Sequence, residues 1–309
     1  MNGRNSRGAR TEASGPVSGQ PAPFDRSAPI GERIQRSLRD LTYRIGGSEV
    51  RDRLRSLSTR KNEFGVDPFG MDVDYMLAAA GPLLWLYKHY FRVQTSGIEK
   101  VPPGRVLLVS NHSGQIPLDG AMIGVALLTE AEPPRAVRSM VEKWVPTLPY
   151  VSTFMARCGQ VVGTPQNCIK LLQSDEAILV FPEGVRGLNK LFSQRYQLAA
   201  FGQGFMRLAL ETNTPIVPVA VVGAEEQAPA LFDLKPLAKL LKMPALPITP
   251  TLLPVPLPAR YHIHFGDPMR FTGRPDDDDA ELERKVKQVR AAVQSMLNEG
   301  IRERKHIYW

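Results

Sequence analysis

Val106-Leu107-Leu108-Val109-Ser110-Asn111-His112-Ser113-Gly114-Gln115-Ile116-Pro117-Leu118-Asp119-Gly120 decides how this chain is read. A run of leucine and β-branched residues, the pattern of a strand buried on both faces, breaks into a polar cluster rich in turn formers. Further on, Ala177-Ile178-Leu179-Val180 is followed in the same way by Phe181-Pro182-Glu183-Gly184-Val185-Arg186-Gly187. Polar residues placed directly after such strands sit at the mouth of an α/β sheet, where ligands bind. The first cluster offers a histidine and, a little later, a carboxylate able to orient it. The second offers a glutamate and an arginine beside glycines that let a charged ligand approach the backbone. Together they describe a site that deprotonates one group and grips another.

These residues resemble the glycerolipid acyltransferase superfamily, whose marks are a His-x4-Asp motif and a downstream Phe-Pro-Glu-Gly-x-Arg motif. Gly202-Gln203-Gly204-Phe205 and Pro215-Ile216-Val217-Pro218-Val219-Ala220 resemble its third block, a glycine-rich helix followed by a strand with Val-Pro near its start. The resemblance spans roughly residues 90 to 270. Two departures stand out. Pro117 occupies the expected acid position and the first carboxylate is Asp119, so the loop must bulge to bring Asp119 back to His112 at the start of a helix over Gly120 to Leu128. In Cys158-Gly159-Gln160-Val161-Val162-Gly163-Thr164-Pro165, similar to the superfamily's Gly-x-Ile-x-x-x-Arg block, Pro165 stands where a second arginine would fall.

The resemblance implies transfer of a fatty acyl group from an acyl thioester, acyl-CoA or acyl carrier protein, to a lysophospholipid hydroxyl. The foremost acceptor is 1-acyl-glycerol-3-phosphate, in phospholipid biosynthesis, with no metal or redox cofactor. His112 is then the expected general base and Asp119 its orienting acid. Asn111, Ser113, Glu183, Gly184 and Arg186 are expected to form the acceptor site, with Arg186 on a phosphate. Glu183 is expected to fix Arg186 or to accept from a glycerol hydroxyl, the alternative being that Glu183 and Arg186 form a buried structural salt bridge with each other. Arg138 and Lys143 are expected to meet the donor phosphates. Ser113 as a nucleophile lacks the Gly-x-Ser-x-Gly setting. Three alternatives stay open: a neutral acceptor such as mono- or diacylglycerol, a hydrolase that passes the acyl group to water, and a non-catalytic membrane-associated homologue in which His112 and Asp119 lie beyond hydrogen-bond reach.

At 309 residues and 43% hydrophobic content the chain suits a single α/β domain. A central mixed, largely parallel sheet flanked by helices is expected, preceded by amphipathic amino-terminal helices. Cys158 and Cys168 are expected as free, structural thiols, and two cysteines with five histidines are too few and too scattered for a zinc site. The net charge of +8 calls for anionic partners. Nucleic acid is set aside, because no zinc-finger spacing or ribonucleoprotein signature is present, in favour of an anionic membrane surface and a phosphate-rich acyl donor.

Residues 1–28 are rich in Gly, Ser, Pro and Arg without an apolar run and are expected to stay disordered, and no signal peptide is visible. Residues 29–92 carry two helical patterns. Ile34, Leu38, Leu41 and Ile45 recur at helical spacing among Arg33, Arg36, Arg39 and Arg44, up to a break at Gly46-Gly47. After the turn-rich linker Lys61–Gly70, Met76 to Phe91 is apolar but interrupted by Gly81-Pro82, and is too short to span a bilayer. Both helices are expected either on a membrane surface or packed on the domain. The acyltransferase domain is placed at 93–275. Within it, the proline- and leucine-rich stretch Leu231 to Pro258 reads as an irregular apolar loop in contact with lipid, and Tyr261 to Gly266 as a strand whose two histidines are ordinary strand residues. Residues 276–309 form a charged amphipathic helix and tail. The expected location is peripheral or monotopic on the cytoplasmic face of a membrane.

Overall fold

The computed structural model describes residues 29–308 except 58–61, 64, 114–116, 144–146, 189, 231, 234–246 and 249–254. The amino-terminal segment 1–28, most of the proline-rich stretch 231–258, Gly114-Gln115-Ile116 of the histidine motif and Trp309 thus lie outside the described residues.

The buried runs form strands where the sequence places them. The main sheet contains β1 (Gln94–Ser96), β2 (Val106–Ser110), β3 (Val137–Val141), β4 (Val161–Val162), β5 (Ala177–Val180), β6 (Ile216–Val222) and β9 (His262–Phe265), in the order β1-β9-β6-β2-β5-β3-β4. β7 (Phe232–Asp233) and β8 (Pro247–Ile248) pair separately. Only β6 and β9 are antiparallel neighbours in the main sheet; β2 lies parallel between β5 and β6, with Leu108 opposite both Leu179 and Val217. The sheet is therefore mixed and largely parallel, and both motif strands run the same way side by side.

Period-two alternation divides the core into two layers. Val106, Leu108, Leu179 and Val219 point into one cluster, with α1 (Ile30–Ser56), α2 (Val73–Trp85) and α3 (Leu118–Thr129). Leu107, Val109, Ile178 and Ala220 point into the other, under α5 (Pro165–Gln173), α7 (Gly204–Thr212) and the carboxyl-terminal α9 (Asp279–Glu303). Between β3 and β4 lies the short α4 (Val151–Arg157), and α6 (Val185–Leu188) and α8 (Ala224–Gln227) follow β5 and β6.

The expected break in the first helix falls at Gly47, whose φ of 67° and ψ of −168° are non-helical. The apolar second helix differs from expectation: it runs through Gly81-Pro82 from Val73 to Trp85 and continues as a π-turn to Tyr90. Proline removes one donor and crowds one carbonyl, and the tight packing of α1 on this turn holds it helical. A Cβ on Gly81 would come within 2.9 Å of the Thr42 backbone nitrogen, and the Thr42 hydroxyl donates to the Leu77 carbonyl at 2.7 Å. Leu77, Leu84, Tyr87 and Phe91 join the core of the sheet, so this helix packs on the domain. No helix among the described residues is long and apolar enough to cross a membrane.

The carboxyl terminus is tied back to the sheet. The Arg260 amide donates to the Ile307 carbonyl at 2.8 Å, and Arg304 donates to the buried Glu226 carboxylate at 2.7 Å.

Candidate active site

Because β2 and β5 are parallel neighbours, the residues after Ser110 and after Val180 leave the sheet at one edge and meet. α3 begins at Leu118, so Asp119 lies in its first turn, where the helix amino terminus favours an anion. The fully buried Asp119 accepts from the Ser113 amide at 3.0 Å, and its Oδ2 lies 2.8 Å from His112 Nδ1. The longer spacing therefore does not separate base and acid. Phe181, from the second motif, stacks on the imidazole with ring centroids 4.1 Å apart and planes at 21°. One nitrogen is bound and the ring plane is held, which leaves Nε2 to carry a substrate proton.

The motif strands are also locked at the backbone. Asn111 lies at the end of β2 and uses its side-chain amide like a further strand residue: Oδ1 accepts from the Val221 amide at 2.8 Å and Nδ2 donates to the Val221 carbonyl at 3.1 Å. It thereby clamps the loop to β6. The Ser113 hydroxyl is buried and bonded to nothing among the described residues. Gly187 explains why a glycine ends the second motif, since a Cβ there would stand 2.9 Å from the His112 carbonyl oxygen. Gly184 has a φ of +57° and turns the chain between β5 and α6.

Glu183 and Arg186 do not pair with each other in the bonds this structure makes. The buried Glu183 accepts from the His112 amide at 3.0 Å and from the Ala199 amide at 2.7 Å, and lies 3.4 Å from Lys190 Nζ. The buried Glu183–Arg186 salt bridge held open from the sequence is therefore not made, and Glu183 has Lys190 as its cation instead. Arg186 is exposed and donates to the Ala200 carbonyl at 3.0 Å.

Arg138 requires a correction. It is 1% exposed and bonded to the Asp67 carboxylate and, at 3.2 Å, to Glu176, so it fastens the linker before α2 to β3 and is not placed to meet a donor phosphate. Lys143 is exposed just beyond β3. Pro165 takes the first position of α5 behind a Thr164 cap, a place that suits its fixed φ. Burial pushes the Cys158 thiol up to about 12 and Cys168 to about 11, so neither is a thiolate near neutral pH.

Sequence reasoning gave no role to Phe181, Lys190 or Glu225. The first lay inside the quoted motif; the pairing of the other two depends on contacts between distant segments. An acidic pair, Glu225-Glu226, set directly after the buried strand β6, was the available signal.

The Acyltransferase family profile matches residues 92–222, the stretch from just before β1 to the end of β6. An uncharacterized protein of Mycobacterium tuberculosis is 37% identical over 260 residues, covering 80% of this chain and 72% of that protein. The chain belongs to the glycerolipid acyltransferase superfamily. Its fold is similar to that of the 1-acyl-sn-glycerophosphate acyltransferase PlsC of Thermotoga maritima, with a TM-score of 0.51 at 16% identity over 90% of this chain and 100% of that one. A chicken protein described as a DGAT1/2-independent enzyme synthesizing storage lipids is 26% identical over 77% of this chain and 69% of that protein. As an acyltransferase of this superfamily, the chain works between an acyl donor and a lipid acceptor, and His112 and Asp119 both lie within the matched residues.

Proposed function

We propose that this acyltransferase moves a fatty acyl group from an acyl thioester to the free hydroxyl of a glycerolipid, with His112 as general base. The observation that carries this reading is the 2.8 Å contact between His112 Nδ1 and Asp119 at the mouth of the sheet. An alcohol is too weak a nucleophile near neutral pH without a base. Nε2 takes the hydroxyl proton as the oxygen bonds to the thioester carbonyl carbon. The tetrahedral intermediate then collapses with cleavage of the carbon–sulfur bond, and the proton passes from the imidazolium to the departing thiolate. Asp119 keeps the ring in the required tautomer and stabilises the imidazolium between the two transfers.

The acceptor we put first is a lysophospholipid, 1-acyl-glycerol-3-phosphate above all, because Arg186 is an exposed guanidinium on the motif that packs against His112. A neutral glyceride is the second reading. It is favoured by Pro165 in place of a second arginine and by the storage-lipid enzyme among the relatives. Acyl-CoA or acyl carrier protein serves as donor in either case.

The reaction is further proposed to take place at an anionic membrane surface on its cytoplasmic face. β3 runs parallel to β5, so the chain after Val141 leaves at the same edge as His112. In the connection from β3 to β4, Leu148, Tyr150, Val151 and Phe154 are exposed, Tyr150 by 89%, as are Lys143 and Arg157. Aromatic and aliphatic side chains with basic neighbours are the composition of an interfacial contact.

Purified protein offered labelled acyl-CoA and a panel of lysophospholipids and neutral glycerides tests these readings together. Acylated lysophosphatidate is the expected product. Fatty acid released without acceptor would instead make the protein a hydrolase, and no product from any pair would remove the enzymatic reading. Arg186→Glu is expected to lower transfer to lysophosphatidate on the order of 10-fold or more and to spare monoacylglycerol. Equal loss on both acceptors would remove the phosphate role.

A further inference from the structure

Behind the imidazole lies a cluster of buried charges that the transfer mechanism does not itself use. Glu183 has both oxygens occupied, Oε1 by the His112 amide and Oε2 by the Ala199 amide. Lys190 Nζ stands between two acids, 3.4 Å from Glu183 Oε2 and 3.0 Å from Glu225 Oε1, and also donates to the Gln197 carbonyl at 3.4 Å. Glu225 in turn accepts from the Tyr196 amide at 3.0 Å. None of the three charged side chains is more than 9% exposed. Two carboxylates so close and so dry repel each other unless a cation is shared between them. The strain shows at Glu225, where burial raises the carboxyl above its ordinary range, Lys190 pulls it back and Glu183 adds to the rise.

We propose that Lys190 is a positioning residue for the catalytic histidine, holding the Glu183 carboxylate between the His112 and Ala199 amides so that the imidazole stays registered on Asp119. The linkage has three steps. Lys190 fixes Glu183, Glu183 fixes the His112 backbone, and that backbone sets where the ring meets Asp119 and Phe181. Displacing a base by a fraction of an ångström costs rate and leaves binding alone. Lys190 follows the second motif by only a few residues, yet it acts on the first. The proposal rests on His112 being the base of the transfer reaction.

The test compares full-length wild type, Lys190→Met, Lys190→Arg, Glu225→Gln and the double variant Lys190→Met/Glu225→Gln. For Lys190→Met, kcat is expected to fall on the order of 10- to 100-fold with KM within about 2-fold, and Lys190→Arg to recover most of the loss. In spectra of protein 15N-labelled at histidine, assigned with His112→Asn, the His112 amide is expected to shift and lose protection from exchange in Lys190→Met and to keep both in Lys190→Arg. If Lys190→Met does not fold, the double variant, which removes one acid together with the cation, is compared with Glu225→Gln alone, and a lower kcat in the double is expected. An unchanged kcat per folded molecule with an unmoved His112 amide, whatever happens to the melting temperature, would overturn the proposal. Were the wild type to transfer no acyl group at all, the enzymatic reading would fail on its own, and the His112 amide would still decide whether Lys190 holds it.

Discussion

The chain holds two histidine arrangements, and they are built on opposite principles. His112 follows a central strand, with a carboxylate 2.8 Å from Nδ1, an aromatic ring against its plane, and the other nitrogen at the mouth of the sheet. His262 and His264 share a face of β9 with rings 6.4 Å apart and nearly parallel. The Nε2 atoms of both are buried and bonded to nothing among the described residues, and α9 lies so close that a Cβ on Gly300 would fall 2.6 Å from His264 Nε2. His264 Nδ1 meets only the Ser96 hydroxyl, at 2.8 Å, a partner that does not stabilise a positive charge as an acid does. Two histidines together look more like a site in a sequence than one histidine does. Here the single one has an acid bonded to its ring, and the pair has none.

The sharpest way to break this comparison is to exchange the consequences. His112→Ala is expected to lower kcat on the order of 10²–10⁴-fold with the melting temperature and vesicle binding nearly unmoved, measured by acyl transfer and by thermal unfolding. The double variant His262→Gln/His264→Gln should keep turnover close to wild type. Appreciable transfer by His112→Ala, or its loss in the β9 variant, would reverse the assignment.

A second contrast of the same kind separates Arg138 from Arg186. The former is buried between Asp67 and Glu176, the latter exposed at the mouth. Asp67 also accepts from the Phe69 and Met71 amides at 2.9 and 2.7 Å, so Arg138 holds a turn as well as a charge. Arg138→Met is expected to destabilise the fold by about 3–5 kcal/mol in urea unfolding, because it leaves acids buried without their cation. KM for the acyl donor should stay the same in molecules that remain folded. A raised KM with unchanged stability would return Arg138 to the donor site.

How far each of these residues could be read from sequence follows from the range of the contact that defines it. The strands β2, β5 and β6, the break at Gly47 and the strand of alternating residues at His262 to Phe265 are written in local patterns, and the structure has them. The meeting of Asp119 with His112 was legible too, because both residues lie on one short segment. Pro82 misled because a local breaker is outweighed by Thr42 and Leu38 of another helix packing on Gly81. Arg138 misled and Lys190 went unread for a shared reason: a basic residue is drawn as a free charge in one dimension, and its acid arrives from far along the chain, Asp67 in the one case and Glu225 in the other. Sequence placed the two motifs after their strands, while the electrostatic support beneath them needed three dimensions.

The smallest effect concerns what burial does to the β9 pair. Both imidazoles are held below the ordinary value of 6.5, first by burial. At His262 the positive neighbours His264, Arg260 and Arg304 add to this against Glu303, whereas at His264 the acids Glu303 and Glu299 oppose it. The folded chain thus resists a proton that the unfolded chain accepts near pH 6.5, so the stability from keeping these rings neutral is whole above that value. It is lost as pH falls through 6.5 towards the lower folded values. Between pH 7.5 and 5.5 the wild type should therefore lose more melting temperature than His262→Gln/His264→Gln, by on the order of a degree or two. Parallel curves for the two proteins would mean that α9 does not seal this face, and the contrast between a histidine held by an acid and histidines held by packing would then rest on the hydrogen bonds alone.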